Sequence, residues 1–148
     1  MDKIVLDANV FLKLITLESD SKLVEDLFIT IFEKGVPVLE PNFVRVEIYS
    51  VVRRKVYFKE LTYAQAEESL SIFRQMGNKY YRSSGKFLDL AYDLSFELNQ
   101  PVIYDTLYLS LAILKNAYFV TQDLKFLKLS RKYYKDCYSV KELLLLLN

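Results

Sequence analysis

Residues 4–12 read IVLDANVFL, a short β-forming run followed at once by an aspartate with apolar residues on both sides. Ile4, Val5 and Leu6 are typical of a buried strand. A carboxylate beside a hydrophobic core costs several kcal/mol unless it is paired, bound to a metal or protonated. Asp7 must therefore either reach the surface where the strand ends or be required in that position.

Three more β-rich runs follow along the chain: VPVL at 36–39, AYFVT at 117–121 and CYSV at 137–140. The segments between the runs carry apolar residues at helical spacing. Short apolar strands that alternate with helices are typical of a parallel sheet covered on both faces. The sequence therefore predicts the α/β class, as a three-layer α/β/α sandwich with a central parallel sheet of four to five strands.

Local signals mark the ends of one helix and the position of one loop. The segment LTYAQAEESLSIFRQMGN (61–78) begins with a predicted N-cap at Thr62 and ends at Gly77. The stretch GNKYYRSSGK (77–86) is predicted to be a loop because it is rich in turn-forming residues.

Length and composition indicate one globular domain over residues 1–148, with 52% hydrophobic and 26% charged residues. The net charge is +1, so any contact with nucleic acid must come from a local patch. The single cysteine, Cys137, excludes an internal disulfide and indicates a reducing compartment. Asp7 interrupts the early apolar run and the run at 143–147 is too short to span a bilayer, so we expect a cytoplasmic location without membrane association.

The chain contains no histidine. This absence excludes a Ser-His-Asp triad, histidine acid–base catalysis and histidine-ligated zinc. Gly85-Lys86 suggests a phosphate-binding P-loop, but Tyr80 and Phe87 occupy positions where that motif needs glycine and Ser or Thr. The kinds of catalysis that remain for this chain are those that use carboxylates, hydroxyl groups or hard metal ions.

Two aspartates follow predicted strands. Asp7 ends the first run, and Asp123 comes shortly after the third. Ligands of open parallel sheets bind beyond the carboxyl ends of the strands, so both carboxylates are expected at the same edge. A role in a turn or a helix cap is the alternative for each of them.

Two further acids lie in predicted helices. Glu47 has mostly apolar neighbours at helical spacing, which places it on the inward side while Arg53 and Arg54 point outward. A buried salt bridge is the alternative for Glu47. Asp105 begins a strongly apolar helix, where an N-cap or first-turn acid is also favourable.

Together the four acids form an oxygen-only donor set that suits Mg²⁺ or Mn²⁺. A metal held in this way lowers the pKa of bound water and stabilises charge that develops on a phosphate. The four acids are Asp7, Glu47, Asp105 and Asp123.

Four segments resemble, in order and spacing, the four acidic motifs of PIN-domain ribonucleases, and most of all the toxin nucleases of the VapBC toxin–antitoxin type. They are IVLDANVFL, VEIYSVVRRK, IYDTLYLSLA and FVTQD. The resemblance implies that the four acids are catalytic metal ligands, and that Asn9 and Thr121 orient ligands or waters. Gln122 stands where a small residue is common in the family.

The resemblance implies an Mg²⁺-dependent endoribonuclease that hydrolyses RNA phosphodiester bonds with metal-activated water, leaving 5′-phosphate and 3′-hydroxyl ends. It also implies a small antitoxin protein as partner and a homodimer. Exposed basic residues are expected to contact RNA phosphates, although solvated surface charge is the alternative. The candidates are Arg53, Arg54, Lys79, Arg82 and Lys125.

Two other functions fit the same residues. A phosphoacceptor signalling domain on a similar sheet would use Asp7 or another strand-end aspartate as nucleophile with Mg²⁺. A catalytically silent PIN-like fold would only bind RNA or a protein partner, which the presence of all four acids argues against.

Overall fold

The computed structural model describes residues 3–16 and 21–148, in which five strands alternate with eight helices. The elements are β1 (Ile4–Leu6), α1 (Ala8–Ile15), α2 (Ser21–Glu33), β2 (Val38–Pro41), α3 (Phe43–Tyr57), α4 (Tyr63–Gln75), β3 (Lys79–Tyr81), α5 (Lys86–Glu97), α6 (Tyr104–Lys115), β4 (Tyr118–Val120), α7 (Leu124–Ser130), β5 (Cys137–Tyr138) and α8 (Val140–Leu147).

The five strands form one parallel sheet in the order β3-β2-β1-β4-β5. The central strand β1 is fully buried, as its run of three apolar residues predicts. Its neighbours hold it in register, with Ile4 opposite Val38 of β2 and Tyr118 of β4. The predicted α/β/α architecture with a parallel central sheet is confirmed, with five strands.

The loop predicted at 77–86 is wrong for residues 79–81, which form the edge strand β3. Within the described sheet this strand lies at the edge and pairs with β2, and none of its three side chains is fully buried, so its sequence need not be an apolar run. The second strand also differs from its prediction. It begins at Val38 and continues through Glu40 to Pro41, which carries an acid into the sheet.

Helix α6 crosses the sheet and packs against β1, β2 and β4. Seven consecutive residues, from Thr106 to Ala112, are buried, because the helix is covered on several sides. It ends at Asn116, which adopts the left-handed conformation (φ 50°) that terminates many helices. The first turn of α6 therefore lies in a fixed position over the sheet.

The predicted N-cap at Thr62 is confirmed. Its hydroxyl accepts a hydrogen bond from the Gln65 backbone N–H (3.1 Å), and the Gln65 side chain accepts one from the Thr62 N–H (2.9 Å). Cys137 is buried, and its burial raises the pKa of the thiol to about 12, which suits a packing role. Within residues 3–16 and 21–148, no helix combines the length and the apolar character needed to cross a membrane.

Candidate active site at the carboxyl edge of the sheet

The carboxyl ends of β1 and β4 lie side by side, with Leu6 paired to Val120. Asp7 directly follows β1. Its backbone N–H donates to the Val120 carbonyl (2.8 Å), and the residue is only 3% exposed. Asp7 stands at the N-cap position of α1, yet its side chain makes no capping hydrogen bond. Capping of α1 therefore does not account for this buried carboxylate.

Thr121 and Asn9 hold the Asp7 carboxylate. The Thr121 hydroxyl donates to Asp7 Oδ2 (2.8 Å), and Asn9 Nδ2 donates to the same oxygen (3.2 Å). The side-chain oxygen Oδ1 of Asn9 accepts from the Gln122 N–H (3.1 Å), and Thr121 Oγ1 accepts from the Asp123 N–H (3.1 Å). This network joins the end of β1 to the end of β4 and fixes the orientation of Asp7.

Burial is the main cause that raises the pKa of Asp7 to about 7, and repulsion from Asp105 and Glu47 adds to it. The Thr121 hydroxyl and the backbone of Asn9 act on the pKa of Asp7 in the opposite direction. Asp7, Asp105 and Glu47 are therefore close enough to interact electrostatically, although they come from three different elements.

Glu47 is half-buried on α3, and its Oε2 accepts a hydrogen bond of 2.6 Å from the Tyr108 hydroxyl of α6. Burial of Glu47 raises the pKa of its carboxyl, with a smaller contribution from Asp105, while the bond from Tyr108 opposes the shift. Burial also raises the pKa of Tyr108 far above its usual range, so the phenol keeps its proton and remains a donor. Glu47 is thus oriented by a neutral hydroxyl.

Asp105 lies in the first turn of α6 and is half-buried. Its burial raises the pKa of its carboxyl, and repulsion from Asp123 adds to the effect. Asp123 is exposed and caps α7, since its Oδ1 accepts from the Phe126 N–H (2.9 Å). Asp123 therefore has the cap role that the sequence allowed, and its charge also raises the pKa of Asp105.

A fifth acid, Glu40 of β2, belongs to the same edge and was not a predicted site residue. It is 0% exposed, and its Oε1 accepts from the Leu6 N–H (3.0 Å), one residue before Asp7. Its other oxygen, Oε2, is buried and has no hydrogen-bond partner in the described part of the chain. Burial is the main cause that raises the pKa of Glu40 well above its usual value, and Asp7 and Glu47 add to it.

Two residues of this edge, Glu40 and Tyr108, were not predicted, although the sequence carries a signal for each of them. Glu40 directly follows the apolar run at 36–39, as Asp7 follows the run at 4–6, so the same question applies to both. Tyr108 lies three residues after Asp105, and residues at that spacing share one face of a helix. An acid next to a strand and a tyrosine beside a helical acid are the patterns that would have found them.

The donor set of this edge is composed of oxygen atoms and fits the chemistry of Mg²⁺ or Mn²⁺. The carboxylates also repel one another, which a divalent cation would relieve. Across the described ranges, however, no three acidic, thiol or imidazole side chains are arranged to hold a metal ion together. An ion would therefore have to draw the carboxylates closer than they stand.

The five candidate RNA contacts are all exposed but are not gathered in one place. Arg82 follows the carboxyl end of β3, and Lys125 lies two residues after Asp123, so both lie at the acidic edge. Lys79 begins β3 and lies towards the opposite end of that strand. Arg53 and Arg54 lie in the second half of α3, farther along the helix from Glu47.

Comparison with known proteins gives one family and several similar folds. The PIN domain family model matches residues 4–132. The crystal structure of PAE2754 from Pyrobaculum aerophilum superposes with a TM-score of 0.73 at 17% identity, covering 99% of this chain and 89% of that one. VapBC2 from Rickettsia felis, solved bound to a DNA fragment from its promoter, gives a TM-score of 0.61 at 24% identity, covering 85% of this chain and 92% of that one. No significant match to a curated protein was found.

Two substitutions of Glu40 separate its hydrogen bond from its charge. Glu40→Gln keeps an acceptor for the Leu6 N–H, so we expect a free energy of unfolding within about 1 kcal/mol of wild type. Glu40→Met has a similar length but leaves that N–H without a partner, and we expect it to be roughly 1–3 kcal/mol less stable than Glu40→Gln. Urea unfolding at pH 7 in chelator measures both. Equal stability of the two variants would mean that the Leu6 N–H does not depend on Glu40.

The raised pKa of Asp7 predicts that the free energies of unfolding of wild type and Asp7→Asn, measured in chelator, differ by an amount that depends on pH. Below pH 4 the carboxyl is protonated in the folded and unfolded states, so it carries no penalty. Between about pH 4 and about pH 7 only the unfolded chain ionises, and wild type should lose up to ~4 kcal/mol relative to the variant. Urea unfolding across this range measures the difference. A variant that is less stable by the same amount at every pH would instead make Asp7 a structural residue.

Proposed function

Because this chain belongs to the PIN domain family, whose members are generally nucleases, we propose that residues 1–148 form one metal-dependent endoribonuclease domain, similar to the toxin of a VapBC toxin–antitoxin pair. The observation that carries the proposal is the buried Asp7 carboxylate. It is fixed by Thr121 and Asn9, has no capping bond, and interacts electrostatically with Glu47 and Asp105.

In this proposal Mg²⁺ or Mn²⁺ is held by Asp7, Glu47, Asp105 and Asp123. When bound, such a cation activates a water molecule and stabilises negative charge on the phosphate. Thr121 and Asn9 keep Asp7 directed towards the cleft, and Tyr108 does the same for Glu47. Arg82 and Lys125, at the same edge, are placed to attract RNA phosphates.

The phosphoacceptor alternative is less consistent with the surroundings of Asp7. A nucleophilic aspartate needs an accessible, ionised oxygen. Asp7 is 3% exposed, two donors contact its Oδ2, and the raised pKa lowers its ionised fraction at neutral pH. Brief incubation with a small phosphodonor distinguishes the two functions, because the nuclease proposal expects no phosphorylated protein.

We further propose that a small antitoxin covers the acidic cleft and that the chain forms a homodimer. One structure similar in fold is a VapBC2 complex solved with promoter DNA, which supports an antitoxin partner here. Exposed apolar side chains recur every four residues on α5, at Leu88, Tyr92 and Phe96, and offer a face for a second copy.

Loss of either of two acids should abolish cleavage. We expect Asp7→Asn and Asp105→Asn each to lower Mg²⁺-dependent cleavage of an unstructured RNA at least ~1,000-fold, about 4 kcal/mol of transition-state stabilisation. Both variants should also gain less thermal stability than wild type from millimolar Mg²⁺, since each weakens metal binding to the native state. Single-turnover cleavage and thermal unfolding provide the two measurements.

Asp93→Asn is the matched control for these variants, because Asp93 is an exposed acid on α5 that does not contribute to the raised pKa values of Asp7, Glu47 and Asp105. It should retain wild-type cleavage. Circular dichroism checks that each variant is folded. Full cleavage by Asp7→Asn or Asp105→Asn, in protein free of contaminating nuclease, would remove the proposed site.

The mass of the protein in solution tests the proposed homodimer directly. Light scattering of the full chain at micromolar concentration should give a mass of about twice the 17.4 kDa of one chain. A monomer mass under these conditions would contradict the homodimer and leave the proposed chemistry untouched.

A further inference from the structure

The outer surface of α3 carries a hollow of about 610 Å³ lined by Tyr49, Ser50, Arg53, Arg54 and Tyr57. A second hollow of about 500 Å³ shares Tyr49 and Arg53 with the first and extends across to α4. The two shared side chains form a ridge between the hollows. We refer to this surface as the α3 groove. It is distinct from the acidic edge described above.

Aromatic rings and guanidinium groups alternate in the α3 groove. The Arg53 guanidinium lies 5.9 Å from the centroid of the Tyr57 ring, and that of Arg74 lies 5.8 Å from the centroid of Tyr49. Arg74 Nε also donates to the Tyr49 hydroxyl (2.8 Å), which fixes that ring. Tyr57 is 69% exposed, so much of its surface is available to a ligand. Exposed rings beside arginines are the elements with which proteins bind unpaired nucleotides.

The charge of the α3 groove is locally positive although the whole chain carries only +1. In the part of the chain that the structure describes, neither Arg53 nor Arg54 has a carboxylate partner. Arg74 has only a loose one, with 3.9 Å between its Nη2 and Glu67 Oε2. Two unpaired guanidiniums next to exposed rings complement a chain of phosphates and bases.

The α3 groove also lies at a suitable distance from the acidic edge. Arg54 follows Glu47 by seven residues, which is two helical turns, so the two residues lie on the same side of α3 about 10 Å apart along its axis. Arg54 is exposed, as expected, but it does not lie on the opposite side of α3 from Glu47, because seven residues return a helix to nearly the same face. A strand whose phosphate lay beside Glu47 would reach Arg54 within about three stacked nucleotides, at ~3.4 Å each.

We propose that the α3 groove binds the unpaired RNA that flanks the scissile bond. This inference rests on the proposed nuclease function and adds to it the surface that holds the RNA beside the cleavage site. Arg53 and Arg54 contact phosphates, and the exposed faces of Tyr57 and Tyr49 stack on bases. Double-stranded RNA is excluded from this interaction, because its bases are stacked on one another and offer no free face.

The test is binding of a fluorescein-labelled, unstructured 12-nucleotide RNA to the full chain, measured by anisotropy in chelator over a range of salt concentrations. We expect Arg53→Gln combined with Arg54→Gln to raise Kd at least ~10-fold at low salt and to reduce the slope of log K against log salt by about 1.4, or ~0.7 for each phosphate that the protein no longer neutralises. Tyr57→Ala should raise Kd about 10-fold without changing that slope, while Tyr57→Phe should bind as wild type.

Phe32→Ala combined with Lys34→Gln is the matched control. It removes one exposed ring and one exposed cation from the end of α2, outside the α3 groove, and should bind as wild type. If the arginine and tyrosine variants bind the 12-mer as tightly as wild type, or if the control weakens binding equally, the inference is overturned. A groove that serves a protein partner would give the first of these results.

Cleavage separates this inference from the proposed function. With Mg²⁺ present, the α3-groove variants should raise KM for the 12-mer more than they lower kcat, and the effect should shrink for an RNA too short to reach Arg54. Wild-type protein that neither binds nor cleaves RNA would remove the nuclease proposal itself. Wild-type protein that cleaves RNA with no contribution from the groove would remove only the further inference.

Discussion

The carboxyl edge of the sheet depends on carboxylates that are held by neutral donors. Asp7 is bound by a hydroxyl and an amide, Glu47 by a phenol, and Glu40 by a backbone N–H. Neutral donors orient a carboxylate without cancelling its charge, whereas a lysine or arginine would do both. In the described ranges, no salt bridge involves these three acids. No basic side chain in these ranges therefore competes with a cation from solution for the three carboxylates.

The parallel sheet explains why acids so distant in sequence meet. Strand β1 lies at the centre, so its end at Asp7 has β2 on one side and β4 on the other. Helix α6 then crosses above these strands and brings Asp105 and Tyr108 to the same edge, while α3 contributes Glu47. Each acidic side chain is carried by a helix, a strand or the residue that begins a helix. Such placement fixes side chains more closely than a free loop would.

The spacing of apolar residues, the acids that follow strands and the local capping signal were sufficient to predict the fold class, the shared edge of Asp7 and Asp123, and the cap at Thr62. They failed for β3, because an edge strand of one lysine and two tyrosines has no apolar run to reveal it. Glu40 was missed because the predicted strand ended at Leu39, two residues before the end of β2 at Pro41. The contact between Tyr108 and Glu47 joins residues 61 positions apart on two helices, and no local pattern contains that information.

Asp123 has two functions that a single nucleotide change can separate. It caps α7 through its Oδ1 and adds negative charge near Asp105. Asparagine caps helices about as well as aspartate, but it carries no charge. The codons for the two residues differ at one base. Mutation from one to the other would thus lead in one step from a charged site to an equally well folded protein with altered chemistry, a short evolutionary route by which a nuclease could become a binding protein.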